Sequence, residues 1–406
     1  MGCDSVDGFG MDKQLGPRDE GDHPLPGARA SCPRDSRPPQ ANAPRQTAIV
    51  AITRRGREQG LQLQAGLPGA TLYLLHGALP PKEVVDGKPS FVPYTGHLRD
   101  LVDELFPRTR SLVLICAAGI AVRLIAPHLV SKRLDPSVVV VDEQGRYAIS
   151  LLSGHLGGAN ELAARVATVL GAQPIITTAS DLAGTIAVDL VGAEYGWHIE
   201  NPDRLTELSA ALVNGLSVGL YQDAGERDWW PRDKPLPANV VRCTDSGRLS
   251  KGGYAAALLI SDHLITDSRA LPACTVIYRP RSLVLGIGCN RGTSSAEIGD
   301  LVGRTLREHG FSDRSIRRLA TVDLKRDEAG LTAYADQIGV PISYFSAAEL
   351  AAVEELPNPS AMVSDHVGTP GVCEPAALLA AATARLVIPK VKQGNVTLAV
   401  ARIEDS

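Results

Sequence analysis

The chain has 406 residues, of which 44% are apolar, 21% are charged and only 4% are aromatic. This length exceeds one ordinary domain, and the composition is close to that of soluble globular proteins. The net charge of −4 argues against a nucleic-acid-binding surface. No apolar run reaches the ~18 residues that a membrane span needs. We therefore expect two or three domains that bind neither nucleic acid nor a membrane.

The seven cysteines are scattered and never form a C-x-x-C pair. This pattern is typical of a reducing compartment and predicts a cytoplasmic protein. Residues 1–45 lack the apolar segment of a secretory signal and mix proline, glycine and charges of both signs. They are predicted to form a disordered N-terminal tail.

The next predicted unit is an N-terminal α/β domain over residues 46–195. It begins near Thr47 with a strand, a polar segment and a second strand, followed by HLRDLVDELF, which has helical spacing. Residues 112–130 predict a strand, a small-residue turn containing Gly119 and a helix carrying Arg123. Two β-branched runs around Glu143-Gln144-Gly145 then predict a β-hairpin, followed by a glycine-rich loop, a helix and the strand PIITT. Strands alternating with helices predict a largely parallel sheet, whose ligands gather at the carboxyl ends of its strands.

Composition changes after this domain. Residues 196–280 hold all three tryptophans and a proline-rich piece and are predicted to form a small middle domain, while residues 281–406 start a fresh α/β domain. Ser294 and Glu297 have the spacing of a capping box, which would fix the start of a helix. The predicted fold class is α/β, with two mainly parallel, helix-covered domains joined by a smaller α/β middle domain.

The loop SGHLGGAN, residues 153–160, is the first candidate site. A strand that enters a helix through small residues leaves free backbone N–H groups, where an anion can bind. His155 in this loop is either a base that works near neutral pH or a loop histidine bonded to neighbouring backbone; the sequence leaves both open.

The second candidate site is GIGCNRGTSSAEI in the last domain. Arg291 occupies the place of the third glycine of a dinucleotide fingerprint, and no Walker A spacing is present, so nucleotide binding is disfavoured. An anion site at this helix start and a plain tight turn remain equally open. Cys289 is interpreted as a buried structural thiol rather than a nucleophile, because no histidine is nearby.

Metal-ligand spacings and a G-x-S-x-G elbow are absent, so we expect no protein-held metal and no serine hydrolase of that type. Basic side chains close to the turns favour a polycarboxylate or phosphate ligand. The residues predicted to contact it are Gly119, Arg123, Lys132, Ser153, Gly154, Gly157, Gly158, Asn160, Thr177, Thr178, Gly288, Cys289, Arg291, Gly292, Thr293, Glu374 and Lys392.

Residues 119–163 with PIITTASD resemble the N-terminal part of the CbiG family, the cobalt-precorrin-5A hydrolases of anaerobic cobalamin biosynthesis. LVLGIGCNRGTSSAEI, LATVDLKRDEAGL, GVCEPAALLAA and KVKQGNVTLAVA resemble its C-terminal domain, which is also similar to CobE of the aerobic route. The similarity extends over about residues 47–404 and is weakest in the middle domain.

The resemblance implies that water opens the δ-lactone of cobalt-precorrin-5A and that acetaldehyde is released, giving cobalt-precorrin-5B. Cobalt would arrive inside the substrate, so no protein cofactor is expected. As a hypothesis, His155 is the general base, Glu161 or Asp142 orients it, and amides near Gly157 and Gly158 stabilise the oxyanion. Rival interpretations are a non-catalytic corrinoid carrier and a nucleotide-dependent enzyme. Neighbouring pathway enzymes are candidate partners, and a homodimer is the base-rate expectation.

Overall fold

The computed structural model describes residues 46–78, 91–131, 134–265, 271–353 and 371–404. The predicted tail and Lys132 lie outside these ranges. No helix in the described ranges is long and apolar enough to cross a membrane. The described chain contains three β-sheets in sequence order, each with helices packed on it.

The first sheet has seven strands in the order β3-β2-β1-β4-β5-β6-β7. Its strands are β1 Thr47–Ala51, β2 Thr71–Leu75, β3 Val92–Tyr94, β4 Ser111–Ile115, β5 Ser137–Val141, β6 Tyr147–Leu152 and β7 Gln173–Ile175. Its helices are α1 Arg54–Gly66, α2 Leu98–Leu105, α3 Ala118–Ile125, α4 Ala159–Leu170 and the short α5 Ala179–Leu182.

Strands β4 and β5 are buried along their whole length because helices cover both faces of this sheet. Leu63 of α1 and Leu162 of α4 pack on one face, while Leu101 of α2 and Leu124 of α3 pack on the other. The predicted hairpin is confirmed: β5 and β6 pair antiparallel, and the other pairings of the sheet are parallel.

This one antiparallel pairing decides where ligands can meet. Because the hairpin reverses the chain, β6 and β7 run opposite to β4 and β5. The carboxyl ends of β6 and β7 therefore lie at one end of the sheet, and the carboxyl end of β4 lies at the opposite end. The loops that follow β6 and β7 meet each other, and they do not meet the turn containing Gly119.

The second sheet has the order β10-β9-β11-β12-β8 and is parallel except for β8. Its elements are β8 His198–Ile199, α6 Leu205–Val213, β9 Val218–Gln222, β10 Val240–Cys243, α7 Gly247–Lys251, β11 Ala256–Ile260 and β12 Cys274–Arg279.

The third sheet has the order β15-β14-β13-β17-β16, with two parallel and two antiparallel pairings. Its elements are β13 Leu283–Cys289, α8 Ser295–Glu308, β14 Ile316–Val322, α9 Ala329–Ile338, β15 Ile342–Phe345, α10 Ala347–Ala351, α11 Cys373–Ala381, β16 Leu386–Gln393 and β17 Val396–Arg402.

Of the two hydrogen bonds of the predicted capping box at the start of α8, one forms and the other does not. The Ser294 hydroxyl accepts a hydrogen bond from the Glu297 amide. The Glu297 carboxylate does not return to the cap; it accepts from the Asn395 amide, 2.9 Å away, and so ties α8 to the β16–β17 turn. The tertiary contact replaces the local one because the hairpin brings a backbone donor within reach.

A buried ion-pair cluster fastens the second sheet to the third. The Arg402 side chain contacts both oxygens of the fully buried Asp262 carboxylate, at 2.8 and 3.0 Å. Ser282 donates to the same carboxylate, and His263 Nδ1 lies 2.9 Å from it. A buried carboxylate is stable only when it is neutralised and hydrogen-bonded in this way.

Candidate active site

The loop after β6 folds back on itself before α4 begins. Ser153 has a positive φ of 57°, rare for a residue other than glycine, and Gly158 has a φ of 84°. The Gly158 amide donates to the His155 carbonyl, and the Ala159 and Asn160 amides donate to the carbonyls of Ser153 and Gly154. The prediction of free amides at this helix start is therefore wrong for these three groups, because the reversed loop supplies their acceptors.

Two glycines of this loop leave no room for a side chain. A Cβ atom on Gly157 would lie 2.3 Å from the Cβ of Ser153, and one on Gly154 would lie 2.8 Å from Oδ1 of Asn160. The small residues of SGHLGGAN therefore allow a tight loop that holds His155 at a fixed place. The Gly157 amide donates no hydrogen bond within the described part of the chain.

His155 is held between two carboxylates. Its Nε2 lies 2.9 Å from Oδ2 of Asp181, and its Nδ1 lies 3.4 Å from Oδ1 of Asp189. The Ser180 hydroxyl is 3.1 Å from the same Nε2. The loop after β6 supplies the histidine, α5 supplies Ser180 and Asp181, and the segment before the second sheet supplies Asp189.

The two carboxylates raise the pKa of His155, chiefly through the hydrogen bond with Asp189 and against the opposing effect of burial. The His155 and Asp189 side chains are only 15% and 12% exposed, so solvent screens this pair weakly. A histidine in this setting is a stronger base than a free imidazole, and its deprotonated fraction grows as the pH rises.

Asn160 connects the loop to α5. Its side-chain nitrogen donates to Oγ1 of Thr178 at 2.9 Å and to Oδ2 of Asp181 at 2.7 Å. Its side-chain oxygen accepts from the Ser150 hydroxyl at 2.6 Å. Asn160 thus fixes the carboxylate that contacts His155, which is a positioning role.

His155 lies between two clefts. The larger has a volume of about 430 Å³ and extends from His155, Ser180 and Asp189 to α6 of the second sheet, where Thr206 and Ser209 line it. The other, of about 350 Å³, is lined by Ser153, Gly154, His155, Leu156, Thr177 and Thr178 together with Asp189 and the end of β6. A ligand in either cleft reaches the imidazole.

Comparison with known proteins covers almost the whole described chain. Residues 100–181, 186–280 and 283–401 match domains described as cobalamin synthesis G N-terminal, cobalamin biosynthesis central region and cobalamin synthesis G C-terminus. The chain is 39% identical over 357 residues to the cobalt-precorrin-5A hydrolase of Priestia megaterium, a match spanning 88% of this chain and 94% of that protein.

The chain belongs to the cobalamin synthesis G family. Its similarity to the cobalt-precorrin-5A hydrolase of Salmonella typhimurium strain LT2 is 34% identity over 71% of this chain and 81% of that protein. The protein CobE of a Sinorhizobium species is 36% identical over 121 residues, which are 29% of this chain and 79% of CobE.

Both predicted orienting residues of this cobalamin synthesis G protein lie away from His155. Asp142 accepts hydrogen bonds from the backbone amides of Gln144, Arg146 and Tyr147. It therefore closes the β5–β6 turn, which lies at the end of the sheet opposite His155. Glu161 is exposed on the first turn of α4 and makes no side-chain contact with His155 in the described structure. Asp181 and Asp189 occupy the predicted position instead.

The other predicted ligand contacts of this protein do not lie together in the structure. Gly119 lies in the first turn of α3, at the end of the sheet opposite His155, and Arg123 is exposed on the same helix. Seven predicted residues belong to the third sheet, its helices or the loop between β13 and α8, and none of them lines either cleft beside His155 in the described structure: Gly288, Cys289, Arg291, Gly292, Thr293, Glu374 and Lys392.

The third-sheet residues make structural contacts. Arg291 is 90% exposed and lies 3.9 Å from Glu328, whose carboxylate also accepts from the Gly292 amide. Thr293 donates to the Asn290 carbonyl. Cys289 is only partly buried, so the prediction of a buried thiol is wrong in that respect, although burial still raises its pKa.

Gly288, Glu374 and Lys392 are the remaining predicted ligand contacts in the third sheet and its helices. The Gly288 carbonyl accepts from Thr397, where a Cβ on the glycine would lie 2.5 Å from Oγ1. Glu374 is buried at the start of α11 and accepts from the Lys390 amide, and Lys392 is exposed on β16. A single ligand site joining these residues to His155 is not supported by these contacts.

Ser180, Asp181 and Asp189 were missed by sequence reasoning. All three follow the strand PIITT along the chain, and Ser180 and Asp181 lie on the short helix α5. The available signal was topological: β7 runs parallel to β6, so the loop after β7 must lie beside the loop after β6.

Proposed function

We infer that this protein is a cobalt-precorrin-5A hydrolase, which opens the δ-lactone of cobalt-precorrin-5A with water and releases acetaldehyde to give cobalt-precorrin-5B. The observation that carries the inference is the 39% identity to the Priestia megaterium enzyme over 94% of its length. A match of this extent includes all three sheets. The His155 site adds a base, two carboxylates and clefts of ligand size.

The chemistry divides into two parts. Addition of water to the lactone carbonyl and loss of the alkoxy oxygen give a carboxylate and an alcohol. Loss of the alcohol proton then allows the carbon–carbon bond to the macrocycle to break. The electron pair stays on the macrocycle, and the former alkoxy carbon departs with its methyl group as acetaldehyde. One water is consumed, and each part needs a base.

His155 is the proposed base. Asp189 faces Nδ1, which fixes the tautomer that leaves Nε2 to take the proton, as a carboxylate does in hydrolytic dyads. Among the loop amides, Gly157 is the remaining candidate to stabilise the oxyanion, since the Gly158 amide already donates to the His155 carbonyl. The larger cleft, between this loop and α6, would hold the lactone.

The proposal needs no cofactor held by the protein, because cobalt arrives in the substrate. We also propose a cytoplasmic location, which the five free cysteines of the described chain support. Contacts with neighbouring pathway enzymes and a homodimer remain expectations. A non-catalytic carrier is disfavoured, because the CobE similarity covers 29% of the chain whereas the hydrolase similarity covers 88%.

The test is anaerobic incubation of the purified protein with cobalt-precorrin-5A, with acetaldehyde and the mass of the corrinoid product measured together. A hydrolase gives equal amounts of acetaldehyde and cobalt-precorrin-5B over many turnovers. A carrier binds the corrinoid and gives neither product.

A further inference from the structure

Ser180 lies where a catalytic serine would stand relative to His155. Its hydroxyl is 3.1 Å from Nε2, and Nδ1 of the same ring is 3.4 Å from the Asp189 carboxylate. Serine on Nε2 and aspartate on Nδ1 is the connectivity of a Ser-His-Asp triad, which is recognised by geometry and not by sequence order. The absence of a G-x-S-x-G elbow does not bear on this arrangement, because Ser180 lies on the short helix α5 and not on a strand-to-helix elbow.

We propose that Ser180 is the nucleophile that opens the lactone, and that an acyl-enzyme forms on its Oγ before water completes the hydrolysis. The inference rests on the proposed function and adds a covalent step to it. Ser180 is buried, at 4% exposure, yet it lines the cleft of about 430 Å³ that extends to α6. The lactone carbonyl would approach through that cleft.

The proposed step balances as follows. His155 takes the Ser180 proton while Oγ bonds to the carbonyl carbon, and the bond from that carbon to the alkoxy oxygen breaks. The imidazolium returns the proton to the departing alkoxide. Water then gives a proton to His155 and attacks the ester carbon, and the Oγ–carbon bond breaks. Ser180 takes that proton back from His155, and the product is a carboxylic acid, which releases its own proton to solvent and becomes the carboxylate.

Asp181 distinguishes this site from a simple triad. Its carboxylate is 2.9 Å from the same Nε2 that faces Ser180, and Asn160 holds it there. The protonated ring donates to Asp181, whereas only the neutral ring can accept the Ser180 proton. Asp181 therefore stabilises the resting imidazolium and is a positioning residue that sets the pH at which Ser180 becomes active.

The experiment is a single turnover with enzyme in excess over cobalt-precorrin-5A, quenched in acid and examined by intact-protein and peptide mass spectrometry. A parallel reaction contains hydroxylamine, which intercepts an acyl-enzyme as a hydroxamate. The wild type is expected to give an adduct on the Ser180 peptide, or the hydroxamate, or both. Ser180→Ala gives neither and opens the lactone about a thousandfold more slowly or worse.

Ser137→Ala is the matched control. Ser137 is a buried serine of β5 whose hydroxyl donates to that of Ser111, and it lines neither cleft. This variant keeps the adduct and the rate. Asp181→Asn keeps the adduct but moves the rising limb of the pH–rate profile to lower pH, a change that a merely structural role would not produce.

Two results overturn the proposal. One is Ser180→Ala opening the lactone within tenfold of the wild-type rate. The other is the absence of both adduct and hydroxamate from wild-type enzyme that turns over. If the wild type does not open cobalt-precorrin-5A at all, the proposed function fails. The nucleophile is then tested with p-nitrophenyl acetate, which should acetylate Ser180 in the wild type and not in His155→Ala. If the wild type is not acetylated on Ser180, the triad is rejected as well.

Discussion

Asp189→Asn is the substitution that most directly probes how His155 is prepared for catalysis. The change keeps the size of the side chain and removes its charge, so packing around it should persist. It removes the largest cause of the raised pKa of His155 and weakens the contact that fixes the ring tautomer. We expect slower turnover and a rising limb of the pH–rate profile that lies at lower pH than in the wild type.

The magnitude follows from burial. Both side chains are less than a sixth exposed, at 15% and 12%, so solvent screens the 3.4 Å contact weakly, and a hydrogen bond between charged groups is the upper bound for its strength. Such a bond is worth about 1.5–3 kcal/mol. If the contact is made fully in the transition state, its loss lowers kcat/KM by roughly ten- to 150-fold.

The assay is anaerobic acetaldehyde release from cobalt-precorrin-5A across the pH range, together with NMR titration of the His155 ring. Asp103→Asn is the matched control, because Asp103 of α2 lies 2.7 Å from Nε2 of His128 and lines neither cleft. The control should keep the wild-type profile. An Asp189→Asn enzyme with unchanged kcat/KM and an unchanged His155 titration would refute the orienting role.

Three further results are expected. Gly157→Ala should lower kcat/KM by about tenfold or more, because the new Cβ would lie 2.3 Å from the Cβ of Ser153 and would displace the loop that holds His155. Circular dichroism should show that the variant stays folded, and a wild-type rate would contradict the tight loop. The pKa of His263 is raised to about 9 by its two carboxylate neighbours, so its stabilising contribution is complete below about pH 6.5 and is lost as the pH rises through about 9. The Tm should therefore fall in that window, and His263→Gln should flatten the fall; an equal fall in the variant would contradict it. Ser294→Ala should lower the free energy of unfolding in urea by about 1 kcal/mol, and no loss would show that the cap of α8 is dispensable.

The fold class was predictable because strands and most helices of this chain follow simple periodicity. The hairpin at residues 137–152 is the clearest case, since two β-branched runs flank a turn. Helix α1 was missed and interpreted as a polar segment. Its buried face consists of Gly56, Gln59, Gly60 and Leu63, so it packs closely without the apolar periodicity that reveals a helix.

The site was predictable only in part, for a topological reason. His155, Asn160 and Thr178 were identified from the loop and from the end of the next strand, and the structure brings them together. The predicted site also included Gly119 and Arg123, which assumed that the carboxyl ends of all strands lie at the same end of the sheet. The predicted hairpin already implied that they lie at two opposite ends. The correct partner carboxylates follow from strand order and could not be found from spacing along the chain.

The central claim is that this protein hydrolyses cobalt-precorrin-5A with His155 as the base. The most direct measurement is acetaldehyde release and corrinoid product mass under anaerobic conditions, for wild type and His155→Ala at the same protein concentration. The account predicts stoichiometric acetaldehyde and cobalt-precorrin-5B from the wild type, and a loss of at least about a hundredfold in the variant with folding retained. A wild type that binds the corrinoid without releasing acetaldehyde, or a His155→Ala protein that releases it at the wild-type rate, would contradict the claim.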